Sequence, residues 1–421
     1  MTRMDVRMPT EADRSAKIPK KFVRIRMDIP LFLLIVTMLI FGALMVYSAS
    51  ADFSYRTYST MTYIFRKQVE YMFLGMVIAI VLMLTDYHRM KRVAMVGMLG
   101  TIVLLIIVKI VAEIRLGAGR ALFGGSVQPS ELVKLVMILY LAVWLCSKRE
   151  KLSEIAFGLV PLTIMIMIVA GLIYIQPDLS AALTIVIMGG IMFFLAGADW
   201  KQIVTAGLVV LVMGFFFIKF NPTGSVRITE FINGLKDLLK GSYHVRRSIE
   251  AFVTGGWFGV GIGQSDTKLT GLPFPQTDSI FAVVSEETGV LGATGLIMMY
   301  VLILWRSLVI AKRAPDGLGR LLAAGIGIWI TLEAFFNIGS MLNVFPIAGN
   351  SLPLISAGGS NLLVTLAGLG IVLNVSRQSM DKKLKNEWRL FNAVVNLRRG
   401  NRGWRVSRTR RSAGARTHAR K

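Results

Sequence analysis

The chain has 421 residues, 54% of them hydrophobic, a net charge of +24 and a mean hydropathy of +0.62. Soluble domains are less apolar and lack repeated apolar runs of spanning length, so a soluble enzyme is excluded and an all-α polytopic membrane protein is predicted. The single cysteine, Cys146, rules out an internal disulfide and a cysteine-cluster metal site, and His88, His244 and His418 are too scattered to suggest a ligand set.

Residues 1–27 are polar and basic, with Lys20, Lys21, Arg24 and Arg26 just before the first apolar run. No signal-peptide pattern precedes that run, so the first helix is expected to stay in the mature protein. Ten spans are predicted, at 28–50, 69–86, 93–112, 130–147, 154–175, 180–198, 202–220, 279–306, 320–342 and 358–376. Each reaches, or nearly reaches, the length needed to cross a hydrocarbon core of about 30 Å. Residues 28–377 therefore form one membrane domain. The Lys/Arg bias places the N-terminus and loops 86–92, 147–151, 197–201 and 306–320 in the cytoplasm, with the segment after Arg377. An even span number agrees with two basic termini on one side. Residues 378–421 are read as a basic, disordered cytoplasmic tail whose charge suits anionic lipid or a cytoplasmic partner better than nucleic acid.

The outer loops are 51–67, 113–129, 176–179, 221–278 and 343–358, the largest lying between helices 7 and 8. Several carry arginine or lysine against the topological trend, which suits either a lipid headgroup or an anionic ligand. In 227–240, Ile228, Phe231, Ile232, Leu235, Leu238 and Leu239 recur at helical spacing. That pattern predicts an amphipathic helix, at the bilayer interface or as a lid.

Four constellations could carry chemistry. Asp278 follows a Pro- and Gly-rich loop and opens an apolar helix, where an N-cap and a catalytic carboxylate are both open readings. Lys268 precedes it, and Glu286 and Glu287 follow two to three helical turns on, inside a predicted span. Carboxylates at such depth face a cavity or a cation. Gly117-Ala-Gly-Arg120 precedes Gln128-Pro-Ser-Glu-Leu-Val-Lys134, in which Pro129 suits a helix start and Glu131 and Lys134 share a face. Lys134 is either Glu131's local partner or a contact for a pyrophosphate. The glycine run 255–263 follows no strand, so turns or a close backbone approach fit it better than a dinucleotide loop. The broken stretch from Asn337 to Ser360 is tolerable at membrane depth only against protein or a wet cavity.

With those pieces in place, the chain resembles the SEDS family of FtsW, RodA and SpoVE over residues 28–378. The motifs carrying the resemblance are MVYSAS (45–50), RKQ (66–68), GAGR (117–120), QPSELVK (128–134), QPDL (176–179), LPFPQTD (272–278), FAVVSEETG (281–289) and the stretch 337–363. The resemblance implies a peptidoglycan glycosyltransferase of the cell membrane that polymerises lipid II, with Asp278 as catalytic residue. It also implies substrate handling by Arg120, Lys134 and Lys268. Ala121, the Phe-Pro-Gln of 274–276 and Ala357 depart from the usual pattern, none of them removing a charge. VYSAS and the closing LLVTLAGLGIVLNVSR are similar to the division-type branch.

In the mechanism expected from this, Asp278 takes a proton from an attacking sugar hydroxyl. The departing undecaprenyl pyrophosphate meets Arg120, Lys134, Lys268 and Arg246 or Arg247, and Glu286 and Glu287 shape the substrate site. No cofactor is implied; a magnesium or manganese ion bridging the phosphates is an open expectation without a visible ligand cluster. A class B penicillin-binding transpeptidase and other division proteins are the implied partners. The rival readings are a lipid II flippase and an elongation-type polymerase.

Overall fold

The structure is a computed structural model and describes residues 27–115, 128–176, 178–208, 214, 222–346 and 349–400. All regular structure among them is helical. In chain order the helices are α1 (Ile29–Tyr58), α2 (Tyr63–Leu84), α3 (Met90–Arg115), α4 (Pro129–Ser147), α5 (Val160–Ile175), α6 (Leu179–Leu195), α7 (Pro222–Lys236), α8 (Tyr243–Gly255), α9 (Ile280–Arg313), α10 (Gly317–Met341) and α11 (Gly359–Gly400). Among the described residues, eight helices are long and apolar enough to cross a membrane, and Leu179–Leu195 is a shorter apolar helix. The predicted span 202–220 is described only at 202–208 and 214, all helical, so the count of ten is not decided by these residues. The protein is an all-α, multi-pass membrane protein.

Local chemistry sets the helix limits. Asp28 accepts the backbone N–H of Leu31 at 3.0 Å and caps α1, with Pro30 in its first turn. The helix then runs eight residues past the predicted end at Ser50, because nothing between 51 and 58 breaks it, and it stops at Ser59 in left-handed backbone. Residues 51–67 are thus mostly helix rather than loop. In the tail, α11 continues to Gly400, so the backbone of 378–400 is helical. Its run of Lys, Leu, Asn, Glu and Ala contains no proline and no glycine before 400, and such residues extend a helix already nucleated. Residues 1–26 and 401–421 lie outside the described residues.

α10 and the first half of α11 are the central helices. In their most apolar windows 78% and 83% of residues are buried, against 22% for α2 at the periphery. α11 packs along α2, and α10 along α9. Between helices in lipid such close packing, rather than water exclusion, supplies the attraction.

The end of the bundle bearing the starts of α1, α3 and α10 is held by polar clasps. Asp28 also receives Arg306 Nη2 at 2.5 Å, tying α1 to the end of α9. His88 lies 2.7 Å from both Asp86 and Asp316. Gln378 on α11 donates to Asp86 at 2.9 Å. The His88 backbone N–H, with Gln378, holds the Asp86 carboxyl down at about 2.

Candidate active site at one end of the bundle

The separated sequence motifs meet at the opposite end. In the segment 272–279, Ser279 rather than Asp278 is the N-cap of α9, and its hydroxyl makes no cap bond. It donates instead to the Pro273 carbonyl at 2.5 Å and lies against His244 Nε2. Asp278 is thereby left on the last turn of the loop, half-buried. Its carbonyl accepts Asn337 Nδ2 of α10 at 2.8 Å, and the same amide reaches Asn350. Gly349, in left-handed backbone, faces the carboxylate: a Cβ built there would lie 3.8 Å from Asp278 Oδ2.

The loop after α10 clamps this segment from the other side. Ser356 Oγ donates to the Thr277 carbonyl at 2.7 Å, and Ala357 N to the Gln276 carbonyl at 2.8 Å. Gln68 of α2, 2% exposed, donates to the Ser356 carbonyl at 3.3 Å. Ser360 Oγ accepts Gln128 N at 3.1 Å. Asp178 then gathers Gln128 Nε2 at 2.9 Å and Ser130 Oγ at 3.0 Å. Three stretches distant in sequence, 68, 128–134 and 272–279, are thus pinned to 337–361, and 176–180 joins them through Gln128 and Ser130.

Lys134 is buried inside this assembly. Its ammonium lies 2.8 Å from Glu131 and contacts Glu333 of α10, with the Trp329 ring centroid 6.0 Å away. Asn361 Nδ2 donates to Glu131 at 2.8 Å. Of the two readings of Lys134, the geometry favours the local pair with Glu131 and adds a second acid from another helix.

Lys268 and the two glutamates resolve into two different devices. Lys268 Nζ lies 2.7 Å from Glu287 Oε1 and 3.0 Å from Ser48 Oγ of α1, with a side chain 7% exposed. Glu287 is the ion-pair partner. Glu286 takes no cation among the described residues. It accepts the backbone N–H groups of Asp266 and Thr267 at 3.0 and 3.2 Å and the hydroxyls of Ser265 and Thr267. Charge-assisted bonds of this number stabilise a buried carboxylate without a counter-ion.

The two arginines of α8 differ. Arg247 donates to Thr270 Oγ1 at 2.6 Å and its carbonyl at 2.8 Å and pairs with Glu250. Arg246 is exposed, stacks over Tyr243 at 5.8 Å, and has no carboxylate among the described residues within ion-pair distance. Arg120 and the rest of 117–120 lie outside the described residues, as does Pro177.

Two participants are not announced by the sequence motifs. Glu333 is the lone acid in the apolar helix Gly317–Met341, and an isolated intramembrane carboxylate is itself a signal. His244 has no ligand spacing to single it out. Burial of its ring pushes its pKa below the ordinary histidine value, so it is neutral near pH 7. Because the Ser279 hydroxyl is spent on Pro273, its oxygen accepts the Nε2–H of His244.

The arrangement places the half-buried Asp278 carboxylate at the rim of the bundle. Such an acid can accept a proton from a hydroxyl brought to the rim. Among the described residues no three His, Cys, Asp or Glu side chains group as a metal-holding set.

Comparison with known proteins agrees in extent with this assembly. A family described as cell cycle protein, FtsW/RodA/SpoVE, matches residues 29–381. The protein named probable peptidoglycan glycosyltransferase FtsW from Trichlorobacter lovleyi is 34% identical over 361 residues, 85% of this chain and 95% of that one. Stage V sporulation protein E of Bacillus subtilis is 35% identical over 356 residues, 83% and 97% of the two chains. Among solved structures, a chain from a peptidoglycan synthase complex, described as coordinating polymerization and crosslinking, superposes with a TM-score of 0.67 at 26% identity, covering 84% of this chain and 98% of that one. The rod shape determining protein RodA of Thermus thermophilus gives a TM-score of 0.57 at 25% identity, covering 84% and 97%.

Proposed function

Because the chain belongs to the FtsW/RodA/SpoVE family, we infer that it is a peptidoglycan glycosyltransferase that polymerises lipid II into glycan strands during cell division. The observation that carries the reading is the convergence of separated motifs around the loop that carries Asp278: Asn337 bonds the Asp278 carbonyl, Ser356 bonds the Thr277 carbonyl, and Gln68 holds Ser356.

In the proposed reaction, a hydroxyl of one lipid-linked sugar attacks the anomeric carbon of another. The C–O bond to undecaprenyl pyrophosphate breaks as the new one forms, and the leaving diphosphate keeps the electron pair. The hydroxyl proton passes to Asp278, the general base. One carboxylate suffices because a diphosphate departs without needing a proton, unlike the leaving group of a glycosidase. A single displacement inverts the sugar carbon.

The cations divide into two groups. Arg246, exposed on α8, and Arg120 are the residues we assign to the diphosphate. Lys134 and Lys268 are occupied by Glu333, Glu131 and Glu287, which supports a role in holding the site's shape. The same holds for Glu286, and for Arg247 through Thr270. Among the described residues no group of three His, Cys, Asp or Glu side chains could hold a resident metal; a magnesium or manganese ion would be held by the substrate's own phosphates.

In this reading the protein lies in the cell membrane with both termini and the Asp86–His88–Asp316 clasp in the cytoplasm, following the Lys/Arg bias. A class B penicillin-binding transpeptidase is the partner that would cross-link the strand, and the relative solved in a peptidoglycan synthase complex supports it. Other division proteins complete the expected set. Purified Asp278→Asn protein, supplied with lipid II and that partner, tests the assignment. Loss of polymer with retained fold is expected, and normal polymerisation would overturn the base role. Lipid II movement across vesicles that persists in the polymerisation-dead variant would favour the flippase.

A further inference from the structure

The glycine run between α8 and the Asp278 loop is not used by the proposed chemistry. Its path is a hairpin laid along the first turns of α9. α8 starts beside Ser279, through His244. It ends at Gly255, where a Cβ would come within 2.3 Å of the Ser285 carbonyl. The chain continues down α9: Gly256 O accepts Val290 N at 2.9 Å, and Trp257 O accepts Leu291 N at 3.3 Å. It then returns, with Val260 N donating to Glu286 O at 3.0 Å and Gly261 N to Glu287 O at 3.1 Å. By Gly271, bonded to Tyr243 Oη at 2.9 Å, it is back where it began. From Ser279 to Leu291 the descent is about 18 Å at the helical rise.

The kink in α9 makes this pairing possible. Gly289 has φ +69° and ψ −173° inside the helix, which frees the carbonyls of 286 and 287 and the N–H groups of 290 and 291 for the hairpin. Backbone that turns at membrane depth is tolerated only where protein satisfies its polar groups, and here a neighbouring helix does so.

The side chains at the tip are apolar and uncovered. Phe258 is 81% exposed, Val253 77%, Trp257 69% and Ile262 57%, and beside them on α9 Leu291 is 56% exposed. Residues 251–265 contain no Lys, Arg, Asp or Glu. Leu291 also opens the apolar part of α9. From it to Lys312 the only charge is Arg306, which is paired with Asp28. That length is about 31 Å, close to the thickness of a hydrocarbon core. The hairpin tip is therefore level with the boundary where tryptophan and its neighbours favour lipid.

We propose that the 251–265 hairpin is a re-entrant lipid anchor, with Trp257, Phe258 and Ile262 immersed in the edge of the bilayer leaflet on the Asp278 side. The geometry sets the loop carrying Asp278 about 18 Å above that hydrocarbon edge, on the water side of the headgroups, independently of which reaction that loop performs.

The test is spin-label accessibility in the full-length chain. In a Cys146→Ser background, Trp257→Cys, Phe258→Cys and, as a water-facing control, Lys236→Cys are each labelled with a nitroxide. The proteins are reconstituted in vesicles of phosphatidylethanolamine and phosphatidylglycerol. Collision with oxygen should exceed collision with a polar nickel chelate at 257 and 258, and the order should reverse at 236. Chelate access at 258 equal to that at 236 would overturn the proposal. So would protection from both reagents at 258, which would mean that a second copy or another protein covers the tip. Should Trp257→Cys fail to fold, Phe258→Cys carries the measurement, since that side chain touches little of the protein.

Discussion

Lys134 and Glu333 pair across the α4–α10 interface with side chains 2% and 1% exposed. Glu131, one turn from Lys134, shares the same ammonium at 2.8 Å. The site thus rests on one buried base between two acids, and Asn361 attaches α11 to the same group.

Removing that base should be costly. Lys134→Met leaves two carboxylates buried without a counter-ion, and breaking a buried pair costs about 3–5 kcal/mol. Thermal unfolding of the purified protein in detergent should shift accordingly. Lys134→Met combined with Glu333→Leu should recover part of the loss, because it removes one of the stranded acids. A single variant as stable as the parent would contradict the assignment.

Asp278→Asn should lower polymerisation by about 10²–10⁴-fold, the span general-base catalysis supplies. Its melting temperature should stay near that of the parent, because the main-chain bond from Asn337 is to the Asp278 carbonyl and survives the substitution. Loss of stability parallel to loss of activity would mean that the carboxylate is structural.

The buried ring of His244 gives a pH dependence of known sign. Its folded pKa lies below the ordinary value of 6.5, so below that pH the unfolded chain binds more protons than the folded one. Its contribution to stability is complete above about 6.5 and declines as pH falls toward the folded pKa. The protonated ring would still donate to Ser279, so burial of the charge is the dominant effect. In His244→Gln this slope should disappear from unfolding curves taken between neutral and mildly acidic pH, while the slopes set by carboxylates at lower pH remain.

Gly259 lies at φ +82°, and a Cβ there would meet the Glu287 carbonyl carbon and oxygen at 2.5 and 2.2 Å. Gly259→Ala should therefore displace the hairpin from α9 and destabilise the chain by about 1–3 kcal/mol from backbone strain alone. Hydrogen exchange at 290 and 291, whose N–H groups are held by the hairpin, would rise if the pairing is lost.

Much of this molecule can be read from its residues. Asp28 and Pro30 announce the first helix, and the apolar runs announce the spans, because lipid demands continuous helices of fixed length. The Glu131–Lys134 pair follows from helical spacing. What spacing cannot supply is the partner on another helix: Glu333 stands 199 residues beyond Lys134, and Ser48 lies 220 residues before Lys268. Nor could the end of α1 be placed, since 51–58 contains polar residues that a helix tolerates once it has left the apolar layer. The glycine run offers turns or a close approach, but no pattern within 255–263 names its neighbour, the backbone of α9 opened by the break at Gly289.

α11 is 42 residues long without a break, about 63 Å at the helical rise. One end bears Ser360 and Asn361, bonded to Gln128 and Glu131; its middle is moored by Asn374 and Gln378 to the turn after α2. The remainder projects beyond that turn as a lever. Force applied along it is met first by Ser379, whose hydroxyl donates to the Arg313 carbonyl, and then by Gln378 and Asn374, so these contacts decide how much of any tug reaches the rim that carries Asp278.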